Sequence, residues 1–129
     1  MQFLPSGFSP SFSEAVRIEQ GDAAWILISG QVGVPLRPGG RPDDLSFEEE
    51  VRTCFDRIAA SLGKFDAKLA DIVRMDVHIT DLSLYSAFGS IRAGLFPKNP
   101  PTSTAVQVAG LLLGARIEIG GIAYVGGKA

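Results

Sequence analysis

One cysteine, Cys54, and one histidine, His78, are all this 129-residue sequence holds of the two most versatile catalytic side chains. A lone cysteine cannot form an intrachain disulfide, so an intracellular protein is the simpler reading. His78 has no second His, Cys or carboxylate at metal-ligand spacing, and neither a metal nor a cofactor is expected. Basic charge is not in excess: 12 Lys and Arg face 14 Asp and Glu, a net charge of −2, which gives no electrostatic reason to bind nucleic acid or an anionic membrane. No apolar run reaches the roughly 18–20 residues of a membrane span. The first residues, Met1 to Pro5, lack the basic region and apolar stretch of a secretory signal, so the cytoplasm is the expected compartment. What remains is an ordinary globular composition, 46% hydrophobic and 20% charged, in one domain large enough for a core.

Glycine and proline, by contrast, are plentiful and punctuate the chain. Residues 1–11 carry Pro5, Gly7 and Pro10 among serines and read as an irregular arm. Phe12–Glu19 alternates imperfectly, Gly21-Asp22 is a turn, and Ala24–Val34 completes a hairpin. The run from Trp25 begins apolar on both faces, then turns polar and open at Ser29-Gly30-Gln31, where small residues let a ligand approach the backbone; Pro35 ends it. Residues 37–44 are loop by composition.

Ser46 followed by Glu49 is a capping box, and Phe47, Val51, Cys54, Phe55, Ile58 and Leu62 recur at helical spacing up to a stop at Gly63. Glu48, Glu49 and Glu50 lie at the positive end of that helix, and Cys54 is read as a small core residue. Ile72–Thr80 gives the cleanest strand alternation in the chain. Asp81 can cap a second helix with Leu84, Phe88, Ile91 and Leu95 on one stripe, weakened by Gly89 and Gly94 and ended by Pro97. Strands over Thr102–Val108 and Arg116–Val125 follow, the last bulged at Gly120-Gly121. The order is β-β-α-β-α-β-β, an α+β domain with two helices on one face of a mixed sheet. Two helices cannot cover both faces, so the second face is expected to meet another copy of the chain.

Five segments in this order resemble the RidA/YjgF family of reactive-intermediate (enamine/imine) deaminases. They are Pro10–Ala15, Ile28–Val34, Asp71–Leu82, Ser103–Leu111 and Ile117–Ala123, and the likeness spans Ser9 to Val125. The resemblance implies a chorismate-mutase-like fold and a homotrimer with small-molecule clefts at subunit interfaces, in which His78 is an interface residue. It also implies a catalytic glutamate at Glu118, an aromatic lid at Phe12, and a cleft drawn from Ser29, Gly30, Gln31, Gly89, Arg92, Ser103, Ala105 and Gln107. Four positions depart from the family pattern: Ser103 stands where the carboxylate-binding arginine is usual, Phe12 where tyrosine is frequent, Gln107 where glutamate is common, and Gly89 where asparagine is common. A serine offers one short neutral donor in place of two charged ones, each worth roughly 1.5–3 kcal/mol. The implied function is a hydrolase of small enamines or imines whose substrate class Ser103 alters, with Arg92 or Arg74 as a substitute cation and Arg74 better read as an ion-pair partner. A non-catalytic trimeric metabolite-binding or regulatory module is the alternative, and an endoribonuclease the least favoured reading given the acidic charge.

Overall fold

The computed structural model describes residues 1–126. Its first helix, α1 (Phe47–Gly63), starts as the capping box requires: Ser46 Oγ accepts from the Glu49 N–H at 3.1 Å, and Glu49 Oε1 accepts from the Ser46 N–H at 2.9 Å. Every residue of its apolar stripe is buried. Helix α1 ends at Gly63 as expected, and the chain turns away through Asp66, whose φ of 58° is left-handed. Helix α2 (Tyr85–Leu95) follows a one-turn 3-10 segment, Leu82–Leu84, where Asp81 accepts from the Ser83 N–H at 2.9 Å. The two helices meet through Phe55 and Phe88, stacked with centroids 6.3 Å apart.

Among the described residues six strands form one mixed sheet: β1 (Gln2–Pro5), β2 (Ser13–Gln20), β3 (Ala23–Val32), β4 (Ile72–Ile79), β5 (Thr102–Gln107) and β6 (Ile117–Val125), in spatial order β1-β2-β3-β6-β4-β5. Only β4 and β5 run parallel. The order is thus β-β-β-α-β-α-β-β, with one strand more than expected. The arm predicted to be irregular pairs with β2 through Phe3 opposite Val16 and Leu4 opposite Ala15. Leu4 packs on the core, and Pro5 falls at the strand end on the sheet's edge, where a missing N–H breaks no inner ladder.

Ile26, Ile28, Met75, Val77, Ile79, Ile117, Ile119 and Ala123 fill the space under the helices. The opposite face is open in the single chain. Trp25 and Leu27, expected to be covered on both sides, are 38% and 43% exposed, and Trp25 packs on Tyr124 with centroids 4.7 Å apart. The predicted bulge also moves. Ile28 pairs with Gly121 and Gln31 with Ile119, so two residues of β3, Ser29 and Gly30, stand against one of β6. The bulged strand is β3. Ile122 and Tyr124 belong to the open face while Gly121 and Ala123 continue the inner row. Gly121 is required for close approach, since a Cβ there would overlap the Arg74 carbonyl oxygen.

Candidate functional site

Glu118 sits on β6 directly between Val32 of β3 and His78 of β4. The bulge brings Gly30 against its carboxylate, and a Cβ at Gly30 would overlap Glu118 Oε1. Here glycine is what lets the backbone lie beside the acid. A cavity of about 430 Å³ opens at this point, with Phe12, Gly30, Gln31 and Glu118 in its wall. Leu4 and Phe8 from the N-terminal segment, Leu36, and the Leu112-Leu113 pair supply much of the rest, so the cavity is mainly apolar around one acidic edge.

Two of the expected cleft side chains are engaged in holding the bulge. Ser29 Oγ donates to the Ser13 carbonyl at 2.6 Å, and Gln31 Nε2 donates to Glu14 Oε1 at 2.8 Å. Ser61 of α1 donates to the same Glu14 oxygen at 3.4 Å. Arg57 clamps the end of β3 by donating to the carbonyls of Val32 and Val34. Glu14, Arg57, Ser61 and Lys64 all reach the cavity wall and were not foreseen. The signal was present for three of them: positions 57, 61 and 64 have the i, i+4, i+7 spacing of one helix stripe, polar and adjacent to the apolar one. Leu113 shows no such signal. It takes φ 60°, a conformation that bulky non-glycine residues rarely adopt, and presents its side chain half-exposed at the cavity mouth.

The remaining expected residues form a second group at the other end of the sheet. Ser103, Ala105 and Gln107 lie opposite Met75, Val77 and Ile79, and so share the helix-bearing face of the edge strand β5. Glu118 shares the other face with His78 and Val106. Arg92 Nη1 of α2 donates to Ser103 Oγ at 3.1 Å, and Gly89 lies one turn before it. Gln107 Oε1 accepts from the Leu82 N–H at 2.9 Å, fixing the entry to α2. Neither Arg92 nor Ser103 lines the cavity at Glu118. The stretch Ser29-Gly30-Gln31 therefore faces Glu118 but not Ser103 within one chain. Arg74 donates to Asp76 at 2.9 Å, the ion pair expected of it.

Other charged groups have structural partners. Glu50, in the first turn of α1 as expected, is fully buried. Its carboxylate accepts from Arg116 Nε at 2.6 Å and from the Arg116 backbone N–H at 2.7 Å. Cys54 is fully buried, and burial, with the charge of Glu50 adding to it, pushes its thiol up to about 12. Hydrogen bonds from Ser46 hold the Glu49 carboxyl below the usual range, and those from Ser83 do the same for Asp81. Among the described residues, no group of three or more His, Cys, Asp or Glu side chains could hold a metal ion.

Comparison with known proteins agrees with this architecture. A protein-family model described as endoribonuclease L-PSP matches residues 8–125. The chain is 30% identical over 127 residues to the 2-iminobutanoate/2-iminopropanoate deaminase of Capra hircus, covering 95% of this chain and 85% of that protein. It is 27% identical over 109 residues to the mitochondrial protein MMF1 of Saccharomyces cerevisiae, covering 84% of this chain and 71% of that one. The crystal structure of RidA from the Antarctic bacterium Psychrobacter sp. PAMC 21119 superposes with a TM-score of 0.75 at 29% identity, covering 95% of this chain and 94% of the other. With one family model spanning nearly its whole length and its fold shared with a solved RidA, this chain belongs to the endoribonuclease L-PSP family, the RidA/YjgF family.

Proposed function

We propose that the protein hydrolyses small imines and enamines to the carbonyl compound and ammonia. The observation that carries this reading is the carboxylate of Glu118, held against the Gly30 backbone at the edge of a mainly apolar cavity. Glu118 takes a proton from a water as the water oxygen adds to the C=N carbon and hands that proton to the imine nitrogen, which becomes an amine and leaves the carboxylate ionised again. The resulting carbinolamine expels ammonia as its hydroxyl proton returns through the same carboxylate, giving C=O. An imine is reactive enough that positioning and one proton carrier suffice. The goat relative's name, a deaminase of 2-iminobutanoate and 2-iminopropanoate, supports the substrate type.

The site is proposed to be completed in a homotrimer, with the Glu118 half of one copy facing the Ser103 half of its neighbour. The separation of the two groups on one chain, and the open apolar face bearing Trp25 and Leu27, support that assembly. Cytoplasm is the proposed compartment, with the yeast relative's mitochondrial name as the competing precedent. No helix among the described residues is long and apolar enough to cross a membrane.

The test is ammonia release from imines generated in situ from 2-aminobutyrate and alanine by an amino-acid oxidase with oxygen as the oxidant. Wild-type protein accelerates release over buffer, and Glu118→Gln lowers the rate by roughly 10²–10⁴-fold, the usual contribution of a general acid–base. No acceleration by wild type overturns the reading. In that case stabilisation of the fold by 2-oxo acids without turnover favours the metabolite-binding module, for which Ser103 in place of arginine is the supporting observation.

A further inference from the structure

Arg92 stands apart from the other arginines whose partners are visible. Arg17, Arg37, Arg74 and Arg116 each have a carboxylate within ion-pair distance, and Arg57 is occupied by two carbonyls. Among the described residues Arg92, like Arg41 and Arg52, has no carboxylate partner. Its guanidinium is nonetheless held in place. The central carbon lies 5.0 Å from the Phe88 ring centroid and 5.5 Å from that of Tyr85, and Nη1 donates to Ser103 Oγ at 3.1 Å. Stacking and one hydrogen bond fix the plane of the group while leaving its charge uncompensated. On the Nη2 side stands Gly89, where even an added Cβ would lie 3.9 Å away, so position 89 puts no side chain over that nitrogen.

A planar, oriented guanidinium with a free edge is built for a planar oxyanion, and a carboxylate fits it with two parallel N–H···O bonds. Ser103 adds to this. Its oxygen already accepts from Arg92, so its own O–H is free to donate to the same carboxylate. We infer that Arg92, steadied by Ser103, binds the carboxylate of a 2-imino acid substrate. The inference rests on the deaminase reading for the C=N half of the ligand; the carboxylate half stands on Arg92 alone. Ser103 then leaves the substrate class unchanged, because the cation is supplied from α2 instead of from β5.

The experiment separates binding from turnover. Affinity for 2-oxobutanoate, a stable carboxylate of the product class, is measured by calorimetry against neutral 2-butanone in wild type, Arg92→Gln, Arg92→Lys and Glu118→Gln. Wild type binds the acid and prefers it to the ketone. Arg92→Gln weakens acid binding roughly tenfold to a hundredfold, the range for losing a charged hydrogen-bond pair. Arg92→Lys keeps the charge and loses less. Glu118→Gln retains acid binding while turnover falls. Adding Ser103→Arg to Arg92→Gln restores affinity, since both guanidiniums address one spot. Unchanged acid affinity in folded Arg92→Gln, or equal affinity of wild type for acid and ketone, overturns the inference. Should Arg92→Gln fail to fold, undiminished affinity in Arg92→Lys overturns it instead. Arg92-dependent acid binding with no turnover of any imine upholds it and removes the deaminase reading.

Discussion

Cys54 shows how one residue's surroundings decide its chemistry. On the apolar stripe of α1 it was legible as a core residue, because its neighbours at helical spacing are Val51, Phe55 and Ile58. Burial holds its thiol at about 12 in the folded chain against an ordinary 9.0. The unfolded chain therefore gives up this proton first as pH rises. The stability that depends on the neutral thiol is complete below about pH 9 and declines as pH climbs toward 12. In urea melts the midpoint of wild type is expected to fall more steeply above that pH than that of Cys54→Ala, and the native thiol should stay inert to alkylating reagents that label it after unfolding. Gly30 is readable as a site candidate from the opening of its strand at Ser29-Gly30-Gln31, and Glu118 only by resemblance. Nothing local says that Gly30 is a glycine because a carboxylate lies where its side chain would be.

At the level of elements, legibility followed length and contact range. The 17 residues of α1 give several turns of periodic signal and a capping box, so both its start and its face were readable. The four residues of β1 give too little alternation to separate from an arm rich in Pro and Ser, and only pairing with β2 makes a strand of them. The apolar alternation of β6 shifts from Ile117 and Ile119 to Ile122 and Tyr124 across Gly120-Gly121, which points to a bulge there, yet register is a property of two strands and the surplus residue belongs to β3. Beyond its place at the positive end of α1, Glu50 has a role that no local pattern shows. Its partner, Arg116, is 66 residues away, and Arg116 Nη2 also donates to the Leu45 carbonyl at 2.8 Å, so this pair ties α1, the loop before it and the start of β6 together. Glu50→Ala leaves Arg116 without its carboxylate and an empty polar pocket in the core. It is expected to lower stability by about 3–5 kcal/mol in urea unfolding, with Glu50→Gln losing less.

For the whole molecule, the sheet works as a divider. Glu118 and the cavity belong to one region, Arg92 and Ser103 to the face and edge beyond β4. The sequence presents all these residues in a row of motifs, and resemblance alone joins them into a single cleft. The strand register shows that one chain keeps them apart. The proposed homotrimer is what would bring them together, and the open face, with Trp25, Leu27 and Ile122 on neighbouring strands, is apolar surface available to it.

That division has a genetic counterpart. A cleft assembled from unlike halves of two chains allows two inactive variants to repair each other. Glu118→Gln and Arg92→Gln each spoil a different half, so separate preparations would both be impaired. Unfolded together and reassembled in equal amounts, they would recombine at random, and about one cleft in four would draw an intact half from each parent. Activity reappearing on mixing would mark the catalytic unit as the junction and not the chain. A mixture as inactive as its components would mean that each chain builds its site alone.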